Sequence, residues 1–159
     1  MIYLSIIFFT IFLDQYSKHL VLTHLKPMTT FPLIPNVFHL TYTENTGAAF
    51  SLFSDMHYFL IATTVIFILI LVWLLIKIPK IKENLGVNIS ISFIIGGAIG
   101  NLIDRLRLDF VVDFFDFRMF NFAIFNFADS FVVCGSIFLV ISLLTNKNFF
   151  ENNDLGKLK

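Results

Sequence analysis

The sequence predicts an all-α membrane protein, a four-transmembrane-helix bundle forming a single integral membrane domain over residues 1–159. Apolar residues make up 57% of the chain and charged ones only 14%. Mean hydropathy is +0.85, outside the range of soluble domains. The apolar residues gather in runs long enough to cross roughly 30 Å of hydrocarbon. Between the runs lie stretches broken by proline or marked by lysine. Formal net charge is zero, so no nucleic-acid partner is expected. The lone cysteine, Cys134, excludes an intramolecular disulfide and reads as a small packing residue of the fourth span.

The first span runs from about residue 2 to 24, most apolar over Ile2–Leu13. Without a basic start or a small-residue cleavage site it reads as a retained helix. Its second half carries Asp14, Gln15, Ser17, Lys18 and His19. Asp14 and Lys18 are four apart and share a helix face. Read alone, they form an interfacial ion pair with Lys18 snorkelling to the headgroups.

Residues 26–55 are not a span, because Pro27, Pro32 and Pro35 break helices. Phe38-His39-Leu40-Thr41-Tyr42-Thr43 alternates like a half-buried strand. Asn45-Thr46-Gly47 predicts a turn, followed by small residues that permit close backbone approach. Two readings stand: a plain turn on the membrane surface, or a platform presenting Asn45 and backbone amides to an extended peptide.

The second span, residues 56–76, holds no Asp, Glu, Lys or Arg, with Ser54 or Asp55 as its expected cap. Pro79 ends it, and Lys77, Lys80 and Lys82 mark a short loop. The third span, 87–103, contains Gly96 and Gly100 in a G-x-x-x-G pair suited to tight helix packing. The fourth covers 126–145, and the polar tail after it reads as disorder or a short surface piece. An even number of spans puts both termini and the lysine loop on one side, assigned to the cytoplasm by its lysines. Segments 26–55 and 104–125 then face outward. The second of these alternates Phe with Asp and is expected to lie in the membrane interface.

The chemistry concentrates in those outer segments. Asp or Arg at a membrane helix centre costs about 2.5–3.5 kcal/mol, so a chain that keeps several there uses them. Asn101, Asp104 and Arg105 share a face at the outer end of the third span, as Asn126 and Asp129 do on the fourth. Asp113 lies between, and side-by-side packing of the two helices brings Asp104, Asp113 and Asp129 to one level. The histidines are scattered, and no H-E-x-x-H zinc signature exists. Close carboxylates share one proton: one member acts as base toward water while the protonated partner polarises a carbonyl. Membrane carboxylates also serve proton relays, so a small proton-linked transporter stands beside a protease at this point. Transport folds usually carry internal repeats, and none is seen. A non-catalytic scaffold is the third reading.

Five motifs decide between them. Asp14-Gln15-Tyr16-Ser17-Lys18, the run Asn45 to Phe50, the run Gly96 to Arg105, Val111-Val112-Asp113-Phe114 and Phe125-Asn126-Phe127-Ala128-Asp129-Ser130 together resemble the lipoprotein signal peptidase family, signal peptidase II. The resemblance implies an aspartic endopeptidase of the bacterial inner membrane that cuts prolipoproteins before a diacylglyceryl-modified cysteine. It maps the catalytic pair onto Asp113 and Asp129. It maps substrate-binding or supporting positions onto Asp14, Lys18, Asn45, Gly47, Asn101, Asp104, Arg105 and Asn126. It further implies a small extracytoplasmic β cradle for the substrate, an active site at that surface, and no metal or organic cofactor. Diacylglyceryl-modified prolipoproteins and membrane lipids are the expected partners, and a monomer the expected state. The chain departs from the family's pattern at Phe122-Ala123-Ile124, where proline is common, and at Asp109-Phe110, where a small residue is common.

Overall fold

The helix Leu85–Leu108 (α3) is the element on which the others are arranged. The computed structural model describes residues 1–47, 56–120, 122–146 and 149. Small residues in the C-terminal half of α3 let two other helices reach its backbone. A Cβ on Gly100 would meet the Asp14 carboxylate at 2.5 Å, and one on Gly97 would run into the Ala128 carbonyl. Helix α1 (Ile2–Leu20) therefore packs on one side of α3 and α4 (Phe127–Thr145) on another. Helix α2 (His57–Lys77) packs chiefly on α3. Lipid supplies no hydrophobic drive between helices, so close packing of small residues must hold them together.

Among the described residues, three helical stretches are long and apolar enough to cross a membrane: His57–Lys77, Lys82–Leu108 and Phe127–Thr145. Of their most apolar windows 61% is buried in the second, against 17% and 11% in the other two, which places α3 at the centre. Helix α1 is 19 residues long, and its polar second half sets it apart. A π-helical turn, Val21–Leu25, carries the run to the expected end of the first segment. Helix α3 exceeds the expected 87–103 at both ends, so Asp104 and Arg105 sit on the helix itself. The expected caps Ser54 and Asp55 lie outside the described residues, as does the tail beyond Asn146 except Phe149, which is buried in a core cluster with residues of α2 and α3.

Lysine in the α2–α3 loop has a structural task. Lys80 Nζ donates to the Leu75 and Ile78 carbonyls and, at 2.9 Å, to Asn88 Oδ1. A cation there satisfies carbonyls that the end of α2 leaves open. It also lies 5.2 Å from the centre of the Tyr3 ring on α1.

At the other end a three-stranded antiparallel sheet, ordered β1-β2-β3, caps the helices. Strand β1 (Thr30–Ile34) is an edge, which is why Pro32 is tolerated there. Strand β2 (Phe38–Asn45) extends the alternation expected over 38–43. Residues 111–117, expected as an interfacial stretch, form strand β3 paired along β2. The physical reason is burial, since Val111, Val112, Asp113 and Phe114 are all buried. Val112 and Phe114 pack with Val21 and Leu25 in a core beneath the sheet. Phe125 then bridges back to Phe115, so Phe122-Ala123-Ile124 leads into a paired position without proline.

Asp116, which an interfacial segment alternating Phe with Asp would expose on its solvated side, is instead buried by the sheet. It is only 8% exposed. Its Oδ2 accepts from Thr41 Oγ1 at 2.6 Å and from Arg118 Nε at 2.9 Å. Burial pushes this carboxyl up, but the Thr41 hydroxyl and the Arg118 guanidinium outweigh it and hold it below the usual carboxylate range. Its folded value is thus depressed, so its stabilising contribution is present at neutral pH and lost as acid protonates the folded state. Asp116→Asn is expected to cost about 1–2 kcal/mol of stability at neutral pH through its charge-assisted bonds. Thermal unfolding in one detergent checks it. Turnover should fall much less than in Asn126→Ala. Equal damage to turnover would put Asp116 in the site.

Candidate active site

The site grows from one helix N-terminus. Asn126 is extended at the N-cap of α4, and its Oδ1 accepts from Asp129 N at 2.9 Å. Asp129 Oδ2 accepts in return from Asn126 N at 3.1 Å. This capping box fixes the Asp129 carboxylate against the start of its own helix, where the dipole favours negative charge. Both residues come from one short motif, so the geometry is local.

Long-range contacts bring the second carboxylate. Asp113 on β3 is buried, and its Oδ1 accepts from Asn126 Nδ2 at 2.6 Å. Thr43 pairs with Asp113 and Asn45 with Val111, so Asn45 and Asp113 project from the same face of the sheet. Asn45 Nδ2 donates to Asp113 Oδ2 at 2.9 Å. Asn101 on α3 completes the ring: its Nδ2 donates to Asp129 Oδ1 at 2.8 Å, and its Oδ1 accepts from Asn126 Nδ2 at 3.1 Å. Three amides thus hold two aspartates without adding a group that titrates near neutrality. Burial pushes the Asp113 carboxyl up to about 7, with the Asp129 charge adding to the effect and the Asn45 and Asn126 amides opposing it.

Gly47 and Arg105 place the turn beside β2. Gly47 N donates to Asn45 Oδ1 at 3.0 Å, and Arg105 Nη2 donates to the Gly47 carbonyl at 2.8 Å. Arg105 Nε is buried without a hydrogen-bond partner among the described residues. The rest of the expected run, Ala48 to Phe50, lies outside them.

Asp14, Lys18 and Asp104 form a charged layer beneath the amides. Lys18 does not snorkel: it is 2% exposed, with its Nζ 2.9 Å from both Asp14 Oδ2 and Asp104 Oδ2. It also donates to Asn101 Oδ1 at 2.9 Å, which turns the amide nitrogen of Asn101 toward Asp129. Asp14 Oδ1 accepts from Ala128 N at 3.0 Å, and Asp104 Oδ2 from Val112 N at 3.1 Å. Each carboxylate therefore pins a residue adjacent to Asp129 or Asp113.

All ten residues singled out in the sequence converge here through these bonds. Gln15 was missed as a site residue. Its Nε2 donates to Asp14, to the Gly100 carbonyl and to Asp104 Oδ1, the last at 2.9 Å. Its place beside Asp14 in the polar half of an otherwise apolar helix was the available signal. Cys134, expected to be a packing residue, is exposed on α4. A cavity of about 620 Å³ lies against the two aspartates, with Asn45, Asn101 and Arg105 also in its wall. Two carboxylates of unlike surroundings, amide-oriented and facing a cavity, suit acid–base attack of water on a carbonyl.

Comparison with known proteins places these residues in context. A family model described as signal peptidase (SPase) II matches residues 6–145. A lipoprotein signal peptidase of Clostridioides difficile is 47% identical over 152 residues, covering 96% of this chain and 98% of the relative. One from Caldanaerobacter subterraneus is 48% identical over 134 residues, 84% of this chain and 90% of the relative. A bacterial membrane enzyme solved by the in meso method at 2.3 Å superposes with a TM-score of 0.82 at 35% identity, over 91% of this chain and 88% of that one.

Proposed function

The chain belongs to the signal peptidase II family, bacterial membrane proteases that remove signal peptides from prolipoproteins, and we propose that it works as an aspartic endopeptidase with Asp113 and Asp129 as its catalytic pair. The observation that carries this is the Asn126 side chain, which binds Asp113 through its nitrogen and the Asp129 backbone through its oxygen. One residue thereby sets both carboxylates toward one cavity.

Their surroundings support a different role for each. Asp129 receives donors from Asn101 and the Asn126 backbone at a helix N-terminus, the setting of an anion. Asp113, raised to about 7, carries the shared proton. A water between them attacks the scissile carbonyl carbon and gives a proton to Asp129, while Asp113 donates its own to the carbonyl oxygen. Collapse of the tetrahedral intermediate returns that proton to Asp113 and breaks the C–N bond. The proton on Asp129 passes to the leaving amine, so the pair ends as it began. Arg105 lines the cavity, and its Nε–H, without a partner among the described residues, can hold the substrate backbone. No metal or organic cofactor enters these steps.

The substrate we propose is a prolipoprotein carrying a diacylglyceryl cysteine, cut just before that residue. Helix α1 serves as a fourth span, the termini are cytoplasmic, and the sheet with its cavity lies at the outer surface in contact with lipid. The working unit is a monomer. Incubating purified protein with a diacylglyceryl-modified prolipoprotein should yield cleavage before the cysteine; intact substrate beside folded enzyme overturns the reading. The transport alternative is not favoured.

The pH profile follows from Asp113. Its folded value is raised, so the protonated, active form is present below about pH 7 and lost above it. The basic limb of kcat/KM should fall near that pH, as a property of the pair. In Asn45→Ala, loss of a donor that favours the anion should move the limb upward. A downward shift would contradict the assignment of Asp113 as acid.

A further inference from the structure

Asn126 orders both carboxylates, so whatever fixes Asn126 bears on the chemistry. Its neighbours in sequence, Phe125 and Phe127, meet on one side chain. The Phe115 ring lies 5.5 Å from that of Phe125 and 5.0 Å, edge-on, from that of Phe127, centre to centre. A further contact at 6.1 Å to Phe38 braces it against β2. The backbone repeats the pattern. Phe115 N donates to the Phe125 carbonyl at 2.8 Å, and Phe125 N donates to the Phe115 carbonyl at 3.2 Å. Phe115 follows Asp113 by two residues on β3, which puts both on one face of the strand. This bridge therefore joins the strand bearing Asp113 to the cap that holds Asp129. Phe125 lines the cavity, whereas Phe115 does not. An effect of Phe115 on turnover must pass through other residues.

We propose that Phe115 is a positioning residue for catalysis, its ring and its bridge to Phe125 fixing Asn126 between the two aspartates. The inference rests on the dyad reading above and adds what keeps the amide shared by the dyad in place. Aromatic pairs at these separations prefer particular geometries, so the ring sets direction as well as distance. An aliphatic side chain fills much of the same volume but leaves Phe125 and Phe127 free to shift. Asn126 Nδ2 reaches Asp113 Oδ1 at 2.6 Å. A shift of about 1 Å there takes the pair out of hydrogen-bond range.

Phe115→Leu and Phe115→Tyr are compared with Ile91→Ala, which opens a cavity in the core shared by α2 and α3, apart from these rings. In Phe115→Leu, kcat should fall about tenfold to a hundredfold, with KM changed by less than about twofold because the cavity wall is intact. Asp113 then also loses a donor that favours its anion, so the basic limb, near pH 7 in the unmodified enzyme, should move upward. The charged groups facing Asp113 are Asp129 of α4, Lys18 of α1 and Arg105 of α3, and the substitution alters none of them. Phe115→Tyr keeps the ring and should restore both kcat and the limb. Ile91→Ala should lose thermal stability yet keep the kcat and pH profile of the unmodified enzyme in its folded fraction. Phe115→Met, flexible and without a ring, carries the same expectations should the leucine variant not fold. Activity lost only in proportion to unfolded protein, or a limb that stays in place while KM rises, overturns the positioning role. A diacylglyceryl prolipoprotein left intact by the unmodified enzyme overturns the protease reading instead.

Discussion

Asp113→Asn and Asp129→Asn are each expected to lower kcat/KM about a thousandfold, the middle of the range for acid–base catalysis, while the protein stays folded in the membrane. An amide neither takes a proton from water nor shares one with its neighbour. The two variants should differ in stability. Both Asp129 oxygens accept hydrogen bonds, from Asn101 and from the Asn126 backbone, so an Asn there turns an NH₂ toward a donor. That mismatch costs about 1–3 kcal/mol and weakens the cap of α4. Asp113 also accepts from two amides, but its own charge is unfavourable at neutral pH, and removing it offsets part of the loss. Cleavage assays beside thermal unfolding separate the two effects. Near-normal turnover in either variant would end the dyad assignment.

Lys18→Met is expected to be the most damaging change to the fold outside the dyad. The ammonium stands between two carboxylates that water does not reach: Asp14 is 0% and Asp104 3% exposed. Breaking a buried pair by removing one partner costs about 3–5 kcal/mol, because the remaining charge is stranded. Here two are stranded, although protonation of one limits the cost. Asn101 also loses the donor that sets its orientation, so surviving protein should turn over slowly. Adding Asp104→Asn to Lys18→Met should recover part of the stability by removing one stranded charge. Unchanged unfolding of the single variant in detergent would show that Lys18 is not held as described.

The contrast between Asp129 and Asp116 shows where sequence reading succeeds. Asn126 and Asp129 are three apart across a helix start, and a capping box is a local device that a tetrapeptide specifies. Asp116 alternates with phenylalanines in an equally short motif, yet its burial depends on register. Opposite His39 on β2, it finds Thr41 and Arg118 within reach. Nothing within residues 111–117 encodes that partner.

The sequence by itself determined the membrane class, the helical runs and the family, because each rests on contiguous apolar length or on short motifs. Tertiary structure alone decided which way the shared face of Asp14 and Lys18 points, since spacing puts the two side by side but does not say whether lipid or α3 lies opposite. It also decided that residues 111–117 become a strand, because that depends on an edge of β2 supplied from 66 or more residues earlier. The physical reason is the same in both cases. A buried charge or an open strand edge is tolerated only where distant groups satisfy it, and chain closure determines which distant groups arrive.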